Sequence, residues 1–306
     1  MTLLIATWSD GLSCVTGKTV RHELAGESIC GLVGDGRDGV LAIVGGHSLC
    51  RRSREGAWTT IAKSEFELSC CVATRDGVFL GTNDANVLHL GDDGALRRLA
   101  GLDAIEGRDE WYAGTAVVDG KVVGPPLGVR SITATCDGVL LANVHVGGIA
   151  RSTDAGATWR PTVDVESDVH QVLAHPTRPD VAIAAAAVGL CVSRDAGATW
   201  NVEARGFHAL HCVGVAFGRN DLFVSTATGP FAKDGAIYRR PIDSDEPLGM
   251  PKWTAGSADT CCIATRDATV AAIDRSGRLY VSEDDGATWS SLLDGLSGAS
   301  GLHILG

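Results

Sequence analysis

The chain reads as an all-β protein, a seven-bladed β-propeller closed by N- and C-terminal strands that share one blade, and three observations predict it. The octapeptide STDAGATW at 152–159 returns as SRDAGATW at 193–200 and as SEDDGATW at 282–289. Counted from Asp154 to Asp195, the first two copies lie 41 residues apart, within the period that four-stranded blades require. Between the turns run short alternating apolar segments such as GVFLGT and DLFVSTAT, with no long stretch of helical period.

Each copy of the octapeptide reads as a hairpin turn. Its Asp (Asp154, Asp195, Asp284) is expected to accept from backbone N–H groups two residues on, and its Gly (Gly156, Gly197, Gly286) tolerates positive φ. The Trp that follows (Trp159, Trp200, Trp289) suits the start of an outgoing strand, where a half-buried aromatic anchors the turn to its own sheet. Remnants that keep the Gly turn stand at SREGAW, 53–58, and DDGAL, 92–96.

Inner strands are expected to begin near Ser28, Ser69, Val129, Val169, Leu210, Thr260 and Leu302, which gives seven blades in one domain over residues 1–306. The N-terminal run TLLIATWSDGLSCVTGKTVRHEL supplies three strands without an inner one, and the C-terminal GLHILG supplies an inner strand with nothing after it. Pairing residues 2–24 with 302–305 completes one blade and removes exposed sheet edges.

The pattern S-x-D-x-G-x-T-W resembles the Asp box, or BNR repeat, of sialidases, sortilin-type receptors, some xyloglucan hydrolases and photosystem assembly factors. That resemblance implies a propeller in which the box joins the third and fourth strands of a blade and is structural. It does not imply sialidase chemistry. That activity needs an arginine triad with a Tyr nucleophile, whereas this chain offers one Arg, Arg130, at the aligned inner-strand positions and three Tyr in all.

The net charge of −11, from 37 acidic and 26 basic residues, excludes a partner held by phosphate neutralisation, so no nucleic acid is expected. The N-terminus has no basic, apolar secretion signal, and no segment approaches the roughly 18 apolar residues of a membrane span. No membrane association and a cytoplasmic location follow as expectations. The ten cysteines show no C-x-x-C spacing; Cys30, Cys71, Cys212 and Cys262 share one phase of four inner strands and Cys14, Cys50 and Cys191 recur in third strands, where Cys acts as a small hydrophobe.

One residue earlier in the inner strands the pattern turns polar. Aligning SCCVATRD at 69–76 with TCCIATRD at 260–267 makes that position Ile29, Cys70, Arg130, His170, His211, Cys261 and, with a gap, His303. His170 and His211 each lie 16 residues past their box Asp. These residues are expected at the mouth of the central channel, joined by His145 from the end of a second strand. Imidazoles converging on a concavity suit iron, copper or zinc, so His145, His170, His211, His303 and Cys261 are the candidate metal ligands. In architecture this resembles the carotenoid-cleaving oxygenases, which hold iron by histidines on inner strands. The bland alternative is that these histidines are satisfied by water or by Asp168.

The longest connection, 102–128, contains GRDEWYAG and is expected to fold over the same mouth. Glu110, Arg130 and Asp168 are the candidate catalytic residues: a general acid or base, a planar clamp for an anion, and a carboxylate beside the histidines. Trp111, Tyr112 and Phe231 are the candidate substrate contacts. The reading is a metal-dependent enzyme, oxidoreductase rather than hydrolase or lyase, acting on a small molecule. The alternative is a non-catalytic scaffold or assembly factor with a protein partner.

Overall fold

The three octapeptides fold into one hydrogen-bonded turn. In the first, Ser152 Oγ donates to Asp154 Oδ1 (2.8 Å) and accepts from Gly156 N (2.9 Å), while Asp154 accepts from Thr158 N (2.9 Å) and Thr158 Oγ1 (2.6 Å). The Asp195 and Asp284 turns repeat each bond. The expectation of acceptance two residues on is corrected to four. Ala155 and Gly156 both take left-handed φ, 54° and 84°, and carry the chain round before Thr158 returns to the carboxylate. Trp159 Nε1 and Trp289 Nε1 each donate to the carbonyl of the turn glycine at 3.1 Å, whereas Trp200 Nε1 donates to Thr162 Oγ1 at 3.2 Å.

Repeated hairpins of this kind build an all-β seven-bladed propeller of four-stranded antiparallel sheets. The computed structural model describes residues 1–306 except Thr115, Asp119, Gly120, Pro125, Leu248 and Ser297, and the backbone alone at 116–118, 122 and 123. Blade 1 orders Ala299–Leu305, Thr2–Thr7, Leu12–Thr16 and Thr19–Glu23 from its innermost strand outward. Blades 2 to 7 start from the innermost strands Ile29–Gly34, Leu68–Thr74, Val129–Ala134, Val169–Ala174, His211–Phe217 and Ala258–Arg266. The expected sharing of one blade is met in detail: Thr2 pairs with Leu305, Leu4 with His303 and Thr7 with Ala299.

The chain divides into two compact units. One comprises Met1–Leu32, Ala185–Leu190 and Val202–Gly306, and its core packs Leu3, Ile5, Phe223, Ile273, Leu302 and Ile304. Its inner strands of blades 6, 7 and 1 lie side by side, and Ser225 Oγ accepts from Ala258 N at 2.8 Å across two of these blades. The other comprises Val33–Ala184 and Cys191–Asn201, with Phe79, Val87, Leu102, Trp111, Val129 and Val144 in its core. There Ser69, Ser131, Thr133 and Asn143 cross from blade to blade to bond inner-strand backbone groups, such as Asn143 Nδ2 to Val169 O at 2.7 Å. Polar residues at those positions therefore satisfy buried peptide groups.

Inner strands are bulged near their N-terminal ends. In blade 4 Val129 pairs with Val144 and Ser131 with Asn143, leaving Arg130 as the extra residue. In blade 6 His211 and Cys212 both pair and the break follows them, and in blade 7 it falls between Ala258 and Ile263. A bulge re-aims the side chains on one side of it, so positions equivalent in the alignment do not keep one phase in space. All ten cysteines are free thiols, and nine of them are at least partly buried. No helix among the described residues is long and apolar enough to cross a membrane.

Candidate metal centre

The sequence VDVESDVH at 163–170 leads from the outer edge of blade 4 into the inner strand of blade 5. Asp164 caps a single 3-10 turn, Val165–Ser167, by accepting from Glu166 N at 2.8 Å. Asp168 ends that turn in the left-handed region, φ 47° and ψ 71°, with its N–H on Val165 O at 3.3 Å. A short polar side chain tolerates this conformation better than most, and an ordered non-glycine outlier of this kind is itself a pointer to a site. Two residues on, His170 enters the strand Val169–Ala174 and is buried.

His145 reaches the same place from blade 4. It is the first residue beyond the second strand Leu140–Val144, its N–H still on Gly128 O at 3.1 Å, and the chain then reverses through Val146 (φ 48°) and Gly148 (φ 71°). The reversal leaves the imidazole buried, 5% exposed. His145 Nε2 lies 3.2 Å from Asp168 Oδ1, and His170 Nε2 lies 3.6 Å from Asp168 Oδ2. The two rings are 6.2 Å apart between centroids and tilted by 35°. Among the described residues this is the group of three donors close enough to hold one ion, with all ligand atoms within 4.8 Å of one another.

Two features suit the group to a cation. Asp168 Oδ1 and His145 Nδ1 are buried without a hydrogen-bond partner, although His145 Nε2 stands 3.2 Å from Oδ1. Ligands bound about 2.0–2.2 Å from a common ion stand roughly 3.0–3.6 Å apart, as each imidazole Nε2 does from its nearer Asp168 oxygen. The His145 imidazole, then that of His170, holds the Asp168 carboxyl well below the usual carboxylate range, against burial that pushes it up. Asp168 is therefore an anion at neutral pH, as a ligand must be.

A strap from the long connection covers His145. It starts with the 3-10 segment Ala100–Ala104, where Gly101 packs against the Asp154 turn so closely that a Cβ would stand 2.2 Å from Ala157 O. Leu102 and Ile105 are buried beneath it. Arg108 donates to Ala85 O (3.1 Å) and lies over the Trp111 ring at 4.9 Å, and Trp111 in turn packs on Gly147. Tyr112 N donates to Val146 O at 3.3 Å, and Gly114 ends the strap against the His145 ring. The Tyr112 hydroxyl donates to Glu166 Oε1 at 3.4 Å; desolvation, then the charges of Glu166 and Asp168, raises its pKa.

The remaining residues singled out in the sequence lie as follows. Glu110 is exposed at the end of the 3-10 turn Arg108–Glu110, its carboxylate near Gly107. Trp111 is 8% exposed and belongs to the core beneath the strap, which leaves Tyr112, at 48%, as the open aromatic. His211, His303 and Cys261 are not members of the donor group formed by His145, Asp168 and His170. His303 faces Arg266 from the closing strand; burial, then the Arg266 charge, pushes its pKa down to about 4. Cys261 lies in the blade 7 bulge at φ 60°, and Phe231, 69% exposed, carries the Arg275 guanidinium over its ring. Sequence reasoning missed Gly114 and Glu166. Their roles depend on where a loop lands, and only the length of that loop was readable.

No family model matches the chain, and no curated protein matches it in sequence. Similarity is to solved structures. Apo AztD from Citrobacter koseri superposes with a TM-score of 0.64 at 10% identity, over 99% of this chain and 97% of that one. The computationally designed Ika8 protein gives 0.58 at 12% identity, over 97% of this chain and 84% of that one. A GH74 xyloglucanase from Xanthomonas campestris gives 0.56 at 16% identity, over 84% of this chain and 44% of that one. At these identities what the chain shares with them is the propeller fold.

Proposed function

We propose that the protein is a metal-dependent enzyme whose His145, Asp168 and His170 hold one divalent transition ion and act on a small molecule bound beside it. The observation that carries this reading is the convergence of two buried imidazoles on one carboxylate, at 3.2 Å and 3.6 Å, with Asp168 Oδ1 left without a hydrogen-bond partner. Two imidazoles and one carboxylate leave coordination positions for water and substrate. This donor set is the one used by non-haem iron oxygenases, so oxidation with iron is the preferred chemistry, ahead of hydrolysis with zinc. The half-exposed Tyr112 hydroxyl offers a polar contact at the rim.

We also assign the chain to the Asp-box propellers. The three turns with one shared set of hydrogen bonds support that assignment, and they bring architecture without chemistry.

The test is elemental analysis of untagged protein, followed by titration of metal-free protein with Fe(II), Co(II) and Zn(II). Near one equivalent should bind, and His145→Ala, His170→Ala and Asp168→Ala should each abolish binding while the fold persists. Wild-type protein that binds none of the three ions overturns the reading and favours the scaffold role.

A further inference from the structure

Gly114 has no room for a side chain, and what fills the space is the His145 imidazole. A Cβ at 114 would stand 1.8 Å from Cε1, 2.4 Å from Nδ1 and 2.8 Å from Nε2 of that ring. The backbone of the strap thus lies flat across a candidate ligand, against three of its ring atoms. Gly114 is not among the positive-φ glycines, so the requirement for glycine here is one of space and not of backbone conformation.

The strap reaches that position by a chain of fixed contacts. Gly101 sits on the Asp154 turn, and Leu102 and Ile105 are buried. The Arg108 guanidinium spans Leu102 O (3.3 Å) and Ala85 O (3.1 Å) and covers Trp111, which rests on Gly147 in the same reversal that carries His145. Turn and strap are therefore packed on each other beside the imidazole. His145 Nδ1 is buried without a hydrogen-bond partner, so no acceptor on that nitrogen fixes the ring's orientation. Metal-bound histidines ordinarily depend on such a partner for orientation. Here packing takes its place.

We infer that Gly114 is the positioning residue of the metal centre and that the strap over residues 100–114, through it, sets the affinity of the site for its ion. This rests on the metal reading above. A methyl group at 114 must displace the ring, which rotates Nε2 away from the point it shares with Asp168 and His170.

The experiment compares wild-type protein with Gly114→Ala by Co(II) and Zn(II) titration, by melting of the metal-free proteins, and by the imidazole nitrogen resonances of His145 in metal-free protein. Binding should weaken at least tenfold, within the range known for loss of a ligand's outer-shell support, and the His145 resonances should shift, while the melting temperature of the metal-free protein changes little. Gly91→Ala, far along the chain on blade 3, should leave all three readings unchanged. Wild-type affinity with unmoved His145 resonances in Gly114→Ala overturns the inference. A wild-type protein that binds neither ion overturns the metal reading instead, and the resonances then decide the positioning role alone. Should Gly114→Ala fail to fold, Arg108→Gln, which frees Trp111 from its cover, carries the same comparison with the same expected loss.

Discussion

His145 Nε2 and Asp168 Oδ1 stand 3.2 Å apart, yet no hydrogen bond joins them. On the metal reading, the pair is arranged towards an ion. Asp168→Asn keeps the shape and removes the charge, so it should lower affinity for a divalent ion at least tenfold while changing the melting temperature by only a few degrees. Isothermal titration with Zn(II) measures the first and calorimetry the second.

The carboxylates of the three repeated turns support the fold. Asp154 accepts from a backbone N–H and two hydroxyls in a single turn. Asp195→Ala and Asp284→Ala, whose turns make the same bonds and do not carry the strap, should each cost about 1–3 kcal/mol in urea unfolding and leave metal content intact. Metal loss in either variant would mean that the turns reach the site.

Arg240 is fully buried and paired with Glu203. Glu203→Ala leaves a guanidinium in the interior without its counter-charge. A loss of about 3–5 kcal/mol is expected, several times that of an exposed pair such as Arg97 with Asp93. Denaturant midpoints of the two single variants make the comparison.

His303 supplies a pH signature. Its folded pKa near 4 lies below the value of about 6.5 for an unfolded histidine, so the unfolded chain takes up the proton first. Its full contribution is present above about pH 6.5 and is lost as pH falls towards 4, on the order of 2–3 kcal/mol in all. His303→Gln should flatten stability between pH 6.5 and 4 relative to wild type. Equal slopes would remove His303 from the account.

The closing blade is tested by deletion of residues 301–306. This removes Leu302 and Ile304 from the core and leaves Thr2–Thr7 as an open edge. The burial lost is about 3–6 kcal/mol, so a fall of roughly 5–10 °C in melting temperature is expected. An unchanged transition would contradict the paired ends.

The fold was legible because its instructions are local. A turn of eight residues needs nothing beyond itself, and its Asp, Gly and Trp stand at fixed offsets in every copy. The candidate site was legible in part. His145 and His170 were identified as polar residues at strand ends, and Asp168 as their neighbour. His211, His303 and Cys261 are not in the donor group; alignment assumed that equivalent residues keep equivalent directions, while Arg130 is the extra residue of one bulge and Cys261 sits at positive φ in another. Trp111 misled for another reason. An aromatic in a long loop can face a ligand or pin the loop down, and only the packing of Leu102, Arg108 and Gly147 around it decides.

The pairing of Thr2–Thr7 with Ala299–Leu305 also orders events during synthesis. The strand Thr2–Thr7 leaves the ribosome before the other six blades and finds its inner neighbour only after they have been made. Until then a run of apolar residues, Leu3, Leu4 and Ile5, waits with one edge unmatched. Contacts so distant in sequence form slowly, and an open apolar strand edge recruits other chains. The nascent protein should therefore be most prone to aggregate just before Ala299–Leu305 emerges, and a chaperone that engages the strands Thr2–Glu23 should raise its yield more than one acting on the released chain.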